Sequence, residues 1–133
     1  MQRIFRTRTF SRWMRRAGVG DPQLRLAIQE MRAGLIDASL GAGLFKKRVA
    51  IAGRGKRGGA RTIVATRRGH HWFFLYGFEK NERADLDHIE LLALRRLAAT
   101  MLSLEDGPIE RLLATGELTE IETNESSQEP NSE

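Results

Sequence analysis

The chain has 133 residues and no cysteine, so one domain is expected, and a disulfide framework, a thiolate zinc site and a cysteine nucleophile are excluded. Hydrophobic residues make up 41% and charged residues 29%, which excludes a wholly disordered chain and a coiled-coil rod. No apolar run approaches the length of a membrane span, and the lack of cysteine favours a reducing compartment. We therefore expect a cytoplasmic protein with no membrane partner.

Charge is distributed unevenly along the chain. The formal net charge is +5, but the six glutamates from Glu117 onward are the only charges after Arg111, so residues 1–116 carry +11. A small domain this basic usually binds a polyanion, most often nucleic acid. We interpret the arginine-rich N-terminus as the basic first element of the domain rather than as a transit peptide.

The first third of the chain predicts a strand and a helical hairpin. Ile4 and Phe5 suggest a short strand. A helix begins at Thr9, because apolar residues then recur at helical spacing, and Gly18 is placed to end it. Asp21, followed by a proline, is the expected N-cap of a second helix.

The middle of the chain predicts extended structure. Residues 44–51, 60–67 and 71–78 are expected to be strands, with a glycine-rich loop over residues 52–59. The last of these strands is apolar on both faces, as in a central strand covered on two sides. The short connections favour an antiparallel meander.

The C-terminal part predicts helices. Asp87 and Glu90 have the spacing of a capping box for a long helix, and a shorter helix and a brief extended segment follow over residues 106–121. The expected fold class is therefore α+β, with a small antiparallel sheet of three or four strands packed against an N-terminal helical hairpin and a C-terminal helix. Residues 123–133 contain no apolar residue and are expected to be disordered.

A basic segment without any acidic residue spans positions 46–68. On a strand, Lys46 and Arg48 point to one face while Val49 and Ile51 point to the other. Arg61 lies just inside the next strand, and near the same edge if the two strands pair. The pattern predicts a cationic patch suited to phosphate, and the alternative is a solvated charged surface. The nine cations are Lys46, Lys47, Arg48, Arg54, Lys56, Arg57, Arg61, Arg67 and Arg68.

Two other patterns do not support a cofactor or a metal. Gly53, Gly55 and Gly58 match the spacing of a dinucleotide-binding fingerprint, but a strand rather than a helix is expected after them. His70 and His71 are adjacent, so on a strand they point to opposite faces, and no third ligand is nearby. We predict neither a metal site nor a cofactor.

One metal-free chemistry fits the residues that remain. RNA carries its own nucleophile, the 2′-hydroxyl, so a protein can cleave it by aligning that group with the phosphate. Cations would stabilise the charge that develops on the phosphate, and a general base or acid would move protons. Crowded cations lower the pKa of a neighbouring lysine, which leaves Lys46, Lys56 and Lys80 as candidate bases.

Three segments match one known family in residue type, order and spacing. They are Gly43-Leu44-x-Lys46-x-Arg48-Val49, Gly53-x-Gly55-Lys56-x-Gly58-Gly59-x-Arg61 and Phe74-Leu75-Tyr76-Gly77-Phe78-x-Lys80-Asn81-Glu82. Together with residues 34–41 they resemble the HigB-like branch of the RelE/ParE toxins, the toxin halves of bacterial type II toxin–antitoxin pairs. The resemblance covers roughly residues 3–104.

The resemblance implies a ribosome-dependent mRNA endonuclease that uses no metal. By motif position it assigns catalysis to four cations, with Asn81 and Glu82 placed to orient the last of them. A tyrosine expected near the C-terminal end is missing, and the only tyrosine, Tyr76, lies in a central strand. The four catalytic candidates are Lys46, Arg48, Arg61 and Lys80. The candidates for RNA binding are Lys47, Arg54, Lys56, Arg57, Arg67 and Arg68.

The resemblance also implies partners and a division of the chain. The partners are a cognate antitoxin, typically a helix-turn-helix protein, together with mRNA and the ribosome. Residues 1–104 would form the toxin domain, 105–122 a helical extension and 123–133 an acidic tail that either only solubilises the chain or folds back onto the cationic patch. Two alternatives stay open: a gyrase-inhibiting toxin of the same fold, and a non-catalytic nucleic-acid-binding protein.

Overall fold

A computed structural model describes residues 2–51, 53 and 55–123, with side chains for all of these except residues 55–57. No helix within these residues is long and apolar enough to cross a membrane. The elements are β1 (Ile4–Thr7), α1 (Arg8–Ala17), α2 (Asp21–Arg32), β2 (Ala38–Gly41), β3 (Leu44–Ile51), β4 (Gly55–Ala65), β5 (Trp72–Glu79), α3 (His88–Leu102), α4 (Asp106–Thr115) and β6 (Leu118–Ile121).

The strands form one sheet in the order β2-β3-β4-β5-β1-β6. Neighbouring strands are antiparallel except for β1 and β5, which are parallel. The predicted α+β class is confirmed, but the prediction of a purely antiparallel sheet with three or four strands is wrong. The helical hairpin carries the chain from β1 to the far edge of the sheet, so the return through β3 and β4 brings β5 alongside β1 in the same direction.

Local signals place most helix ends correctly. Gly18 ends α1 with φ 80°, in the left-handed region that glycine adopts without strain, and Asp87 and Glu90 form the predicted capping box. Asp21 is the first residue of α2 rather than its N-cap, which is Gly20. Gln23 takes over the capping role because its Oε1 accepts the Gly20 N–H at 2.9 Å.

Helices cover both faces of the sheet. Helices α1 and α2 bury Phe10, Trp13 and Leu24 against one face, and α3 buries Leu94 and Leu102 against the other. The C-terminal elements belong to the same structure, since β6 pairs with β1 and α4 contributes a buried isoleucine to the α3 side. The acidic tail expected over residues 123–133 lies, apart from its first residue, outside the described residues.

A β-bulge in β5 decides which way its last side chains point. Ile63 of β4 pairs with Tyr76, but Val64 pairs with Phe74, so Leu75 is an extra residue without a partner in β4. Leu75 and Tyr76 consequently both belong to the apolar cluster on the α3 side, and Phe78 follows them there. Without the bulge, strict alternation would have placed Tyr76 on the side of α1 and α2.

Gly77 is required by the ring of Trp13. A Cβ at Gly77 would lie 2.3 Å from the Trp13 ring. We therefore expect Gly77→Ala to lower the free energy of unfolding by about 1–3 kcal/mol, since the buried ring must move. Gly107→Ala is a suitable control, because a Cβ there would meet only the Arg111 side chain, at an ordinary 3.8 Å, and alanine favours the helix. Equal urea midpoints for the two variants would contradict this account.

Candidate functional site

Three of the four predicted catalytic cations lie on the α3 side of the sheet. Arg48 is directly opposite Arg61 in the β3–β4 pair, and Arg61 is directly opposite Phe78 in the β4–β5 pair. Directly opposite residues project from the same face, and Lys46 shares that face because it precedes Arg48 by two positions. The predicted pairing of these two strands therefore brings Lys46, Arg48 and Arg61 together.

Arg61 has an unused hydrogen-bond donor. Its Nη1 is enclosed by the protein and has no hydrogen-bond partner, which is true of no other side-chain nitrogen or oxygen atom among the described residues. An enclosed donor that makes no bond costs free energy, so such an atom in a folded protein calls for an explanation. A phosphate oxygen can reach this enclosed nitrogen only if the atoms around it move, and the guanidinium then offers phosphate a bidentate geometry.

The other two cations are held by carboxylates. Lys46 Nζ lies 3.1 Å from both oxygens of Asp85, and Arg48 Nε lies 3.0 Å from Asp37 Oδ1. A hydrogen bond from the backbone of Leu86 and the ammonium of Lys46 lower the pKa of Asp85. Burial acts to raise the pKa of Asp37, but hydrogen bonds from the backbone and side chain of Arg48 outweigh it, so the net shift is downward.

The sequence analysis did not predict either carboxylate. Asp37 reaches Arg48 because its own backbone N–H donates to Lys46 O at 3.1 Å, beside the β2–β3 pair. Asp85 lies in the loop before α3 and is 39 positions from Lys46. Both contacts depend on tertiary structure, and no local pattern in the sequence indicates them.

A second polar group lies next to Phe78, which is the direct cross-strand neighbour of Arg61. The Arg83 guanidinium lies 5.5 Å from the centre of the Phe78 ring and forms an ion pair with Glu90. The Tyr76 hydroxyl donates to Glu90 Oε2 at 3.1 Å and accepts from Arg83 Nη1 at 3.4 Å. Burial and the bond to Glu90 raise the pKa of Tyr76. The Tyr76 hydroxyl thus lies at the edge of the site, although Tyr76 belongs to a central strand. Arg83 is a further cation of the site, and the sequence analysis did not predict it.

The Arg83–Glu90 ion pair predicts acid sensitivity. The hydrogen bond from Arg83 and the backbone bond from Asp87 lower the pKa of Glu90 from 4.5 to about 2. A carboxyl with a lowered pKa stabilises the fold above its ordinary pKa, and that contribution is lost as the pH falls towards 2. We expect the urea midpoint to fall between pH 5 and pH 2, and to fall less steeply in Glu90→Gln. The same slope in both proteins would contradict this assignment.

Lys47 does not belong to the cationic surface. Its side chain is 5% exposed, and its Nζ lies 2.8 Å from Glu30 Oε1 of α2, on the opposite side of the sheet from Arg48. This position argues against the RNA contact predicted for Lys47, because its charge is buried and paired, and the contact itself stays a prediction. The alternation that turns Val49 and Ile51 inward also turns Lys47 inward, so the sequence did contain this signal.

The remaining predicted cations are dispersed. Lys80 is exposed in the turn that follows β5, at the Arg61 end of the sheet, and no described hydrogen bond links it to Asn81 or Glu82. Arg67 and Arg68 follow the other end of β4, about 20 Å from Arg61 at 3.3 Å per residue. There the Arg67 guanidinium donates to Leu102 O at 3.2 Å. Arg54 lies outside the described residues, as do the side chains of Lys56 and Arg57.

The adjacent histidines have structural positions. His71 Nδ1 accepts the Arg3 N–H at 3.0 Å, its ring meets Phe5 edge-on, and burial lowers its pKa. His70 Nε2 lies 3.2 Å from Arg67 Nη2. In the part of the chain that the structure describes, no three potential metal ligands come together.

A comparison with known protein families identifies the family of the chain. The sequence model for the RelE toxin of the RelE/RelB toxin–antitoxin system matches residues 2–121. The chain belongs to the RelE toxin family. The match of this RelE-family toxin extends beyond α3, through α4 and β6. Membership of this family implies an antitoxin partner. The comparison with curated proteins finds no match.

Proposed function

We propose that this RelE-family toxin is a ribosome-dependent mRNA endonuclease of the HigB-like branch. The observation that supports the proposal most directly is the enclosed, unpartnered Nη1 of Arg61, which lies opposite Arg48 on the face that also carries Lys46. Two guanidinium groups on adjacent strands suit a phosphate diester, whose non-bridging oxygens accept bidentate hydrogen bonds. The three HigB-like sequence segments contribute the residues of this face.

The proposed reaction needs no metal. The 2′-oxygen attacks the adjacent phosphorus while the bond to the 5′-oxygen breaks, which leaves a 2′,3′-cyclic phosphate and a free 5′-hydroxyl. Arg61 and Arg48 would stabilise the additional negative charge on the phosphate oxygens in the transition state. One proton leaves the 2′-hydroxyl and another reaches the 5′-oxygen. Lys46, held by Asp85, and Lys80 are the proposed groups that transfer these protons.

The proposed setting follows from the proposed substrate. A ribosome-dependent nuclease acts where translation occurs, so we place the protein in the cytoplasm, with mRNA and the ribosome as partners. The cognate antitoxin is proposed to be a helix-turn-helix protein. An uncontrolled nuclease of this kind would arrest growth, which gives the antitoxin its function.

The decisive experiment is primer extension on a reporter mRNA before and after the protein is induced. Wild type and Arg61→Ala are compared, with the start codon of the reporter present or removed. We expect new 5′ ends only in the translated reporter and only with the wild type. New ends without a start codon would contradict ribosome dependence. Growth arrest without new ends would contradict RNA cleavage and would favour gyrase as the target, which induction of DNA damage signalling would reveal.

A further inference from the structure

A cavity lies beside the candidate site, at the open edge of β5. Strand β1 pairs with β5 only over residues 72–74, so the last part of β5 has no strand neighbour on that side. A cavity of about 270 Å³ lies there, between α1, the end of β5 and the loop that precedes α3. Gly77 lines this cavity without contributing a side chain, since the Trp13 ring packs directly against its Cα.

The lining of this cavity is cationic. Arg12 and Arg16 are four positions apart on α1, so they lie one above the other on the same helix face, about 6 Å apart along the axis. Both are exposed, and neither makes a hydrogen bond or an ion pair with any other described residue. Arg83 adds a third guanidinium, whereas Glu82 is the one carboxylate among the described residues of the lining.

The cavity borders the candidate site at Phe78. Phe78 lines the cavity and is also the direct cross-strand neighbour of Arg61. Adjacent strands are about 4.8 Å apart, so the open edge of β5 lies about 10 Å from the strand that carries Arg61. A nucleic-acid strand whose phosphate binds Arg61 can therefore place an adjoining nucleotide in this cavity.

We propose that this cavity is a second RNA subsite, in which Arg12 and Arg16 bind two successive phosphates of the nucleotides that adjoin the cleaved bond. The inference rests on the proposed function, because it takes single-stranded RNA as the substrate. Charge complementarity favours RNA as the occupant, since the two free guanidinium groups follow one another along α1 as successive phosphates do along a strand. The arginines of this subsite position RNA and take no part in the chemical step.

The test measures binding without cleavage. The probe is a fluorescently labelled single-stranded RNA of eight nucleotides with a 2′-O-methyl group on every ribose, which removes the nucleophile. Arg12→Ala/Arg16→Ala is compared with Arg15→Ala/Arg96→Ala, which removes the same charge from exposed positions outside the cavity. We expect the dissociation constant to rise at least tenfold in the first variant and less than threefold in the second. The slope of the logarithm of the binding constant against the logarithm of the salt concentration should become less steep by about 1.4 in the first variant, which is about 0.7 for each lost phosphate contact.

Further variants and outcomes make the test decisive. Arg12→Lys/Arg16→Lys should restore most of the affinity, and thermal unfolding should show that every variant is folded. Equal losses in the two alanine variants, or no binding by the wild type, would overturn the proposal. Unchanged affinity in Arg12→Ala/Arg16→Ala would also overturn it. The two arginines would then be assigned to an interface with a protein partner instead of RNA. Cleavage is not needed for this test, so a failure of the nuclease proposal would be seen separately in the Arg61→Ala experiment.

Discussion

Arg61→Ala should lower the rate of mRNA cleavage by about 10²- to 10³-fold, which is the usual cost of removing one donor that stabilises a charged transition state. The Nη1 of Arg61 has no hydrogen-bond partner in the protein, so the substitution breaks no hydrogen bond at that atom. The affinity of the Arg61→Ala variant for the 2′-O-methyl RNA should fall only a fewfold. Cleavage by purified toxin in a reconstituted translation reaction measures the rate.

Two further variants separate the effect of donor geometry from the effect of lost charge. Arg61→Lys keeps the positive charge but loses the planar, two-pronged donor geometry, so its rate should lie between those of wild type and Arg61→Ala. Arg96→Ala removes an equal charge from the exposed surface of α3 and should leave the rate unchanged. If Arg61→Ala cleaved as fast as Arg96→Ala, Arg61 would have no role in the transition state.

Glu30→Ala should lower the free energy of unfolding by about 3 kcal/mol or more, because it leaves a buried ammonium without its counter-charge. Lys47 Nζ lies 2.8 Å from Glu30 Oε1, and the Lys47 side chain is almost fully enclosed between the sheet and α2. Glu30→Leu/Lys47→Met removes both charges and keeps the volume, so most of the stability should return. Urea denaturation of the two variants and the wild type measures the difference, and a loss below about 1 kcal/mol in Glu30→Ala would contradict the assignment.

The double variant also separates stability from RNA contact at Lys47. If Lys47 only supports the packing of α2 on the sheet, Glu30→Leu/Lys47→Met should cleave mRNA at the wild-type rate below its unfolding temperature. A large loss of cleavage in this folded variant would show that Lys47 does contribute to RNA binding.

Local patterns in the sequence predicted most elements and part of the site. Helix periodicity, the glycine that ends α1 and the capping box at Asp87 depend only on residues a few positions apart, so they could be predicted. The alternation on β3 placed Lys46 and Arg48 on one face, and the pairing with β4 placed Arg61 on that face, directly opposite Arg48. The family resemblance rests on the same local segments, and the family match confirms it for the RelE toxins.

Other features of the site were not predictable because they depend on long-range contacts. Arg83 becomes part of the site only because Glu90 and Phe78 position it, and Asp85 only because its loop passes beside Lys46. The β-bulge at Leu75 turned Tyr76 towards Arg83, against the alternation of its strand.

The sequence by itself determined the element types, the clustered positive charge and the family, since each of these is carried by residue types and by spacings along the chain. Only the tertiary structure decided that β1 runs parallel to β5, that Glu30 of α2 pairs with Lys47, and that a cationic cavity lies between α1, the end of β5 and the loop before α3. Strand register, and the side of the sheet on which a helix packs, result from the simultaneous burial of residues far apart in the chain. No local window of the sequence contains that information.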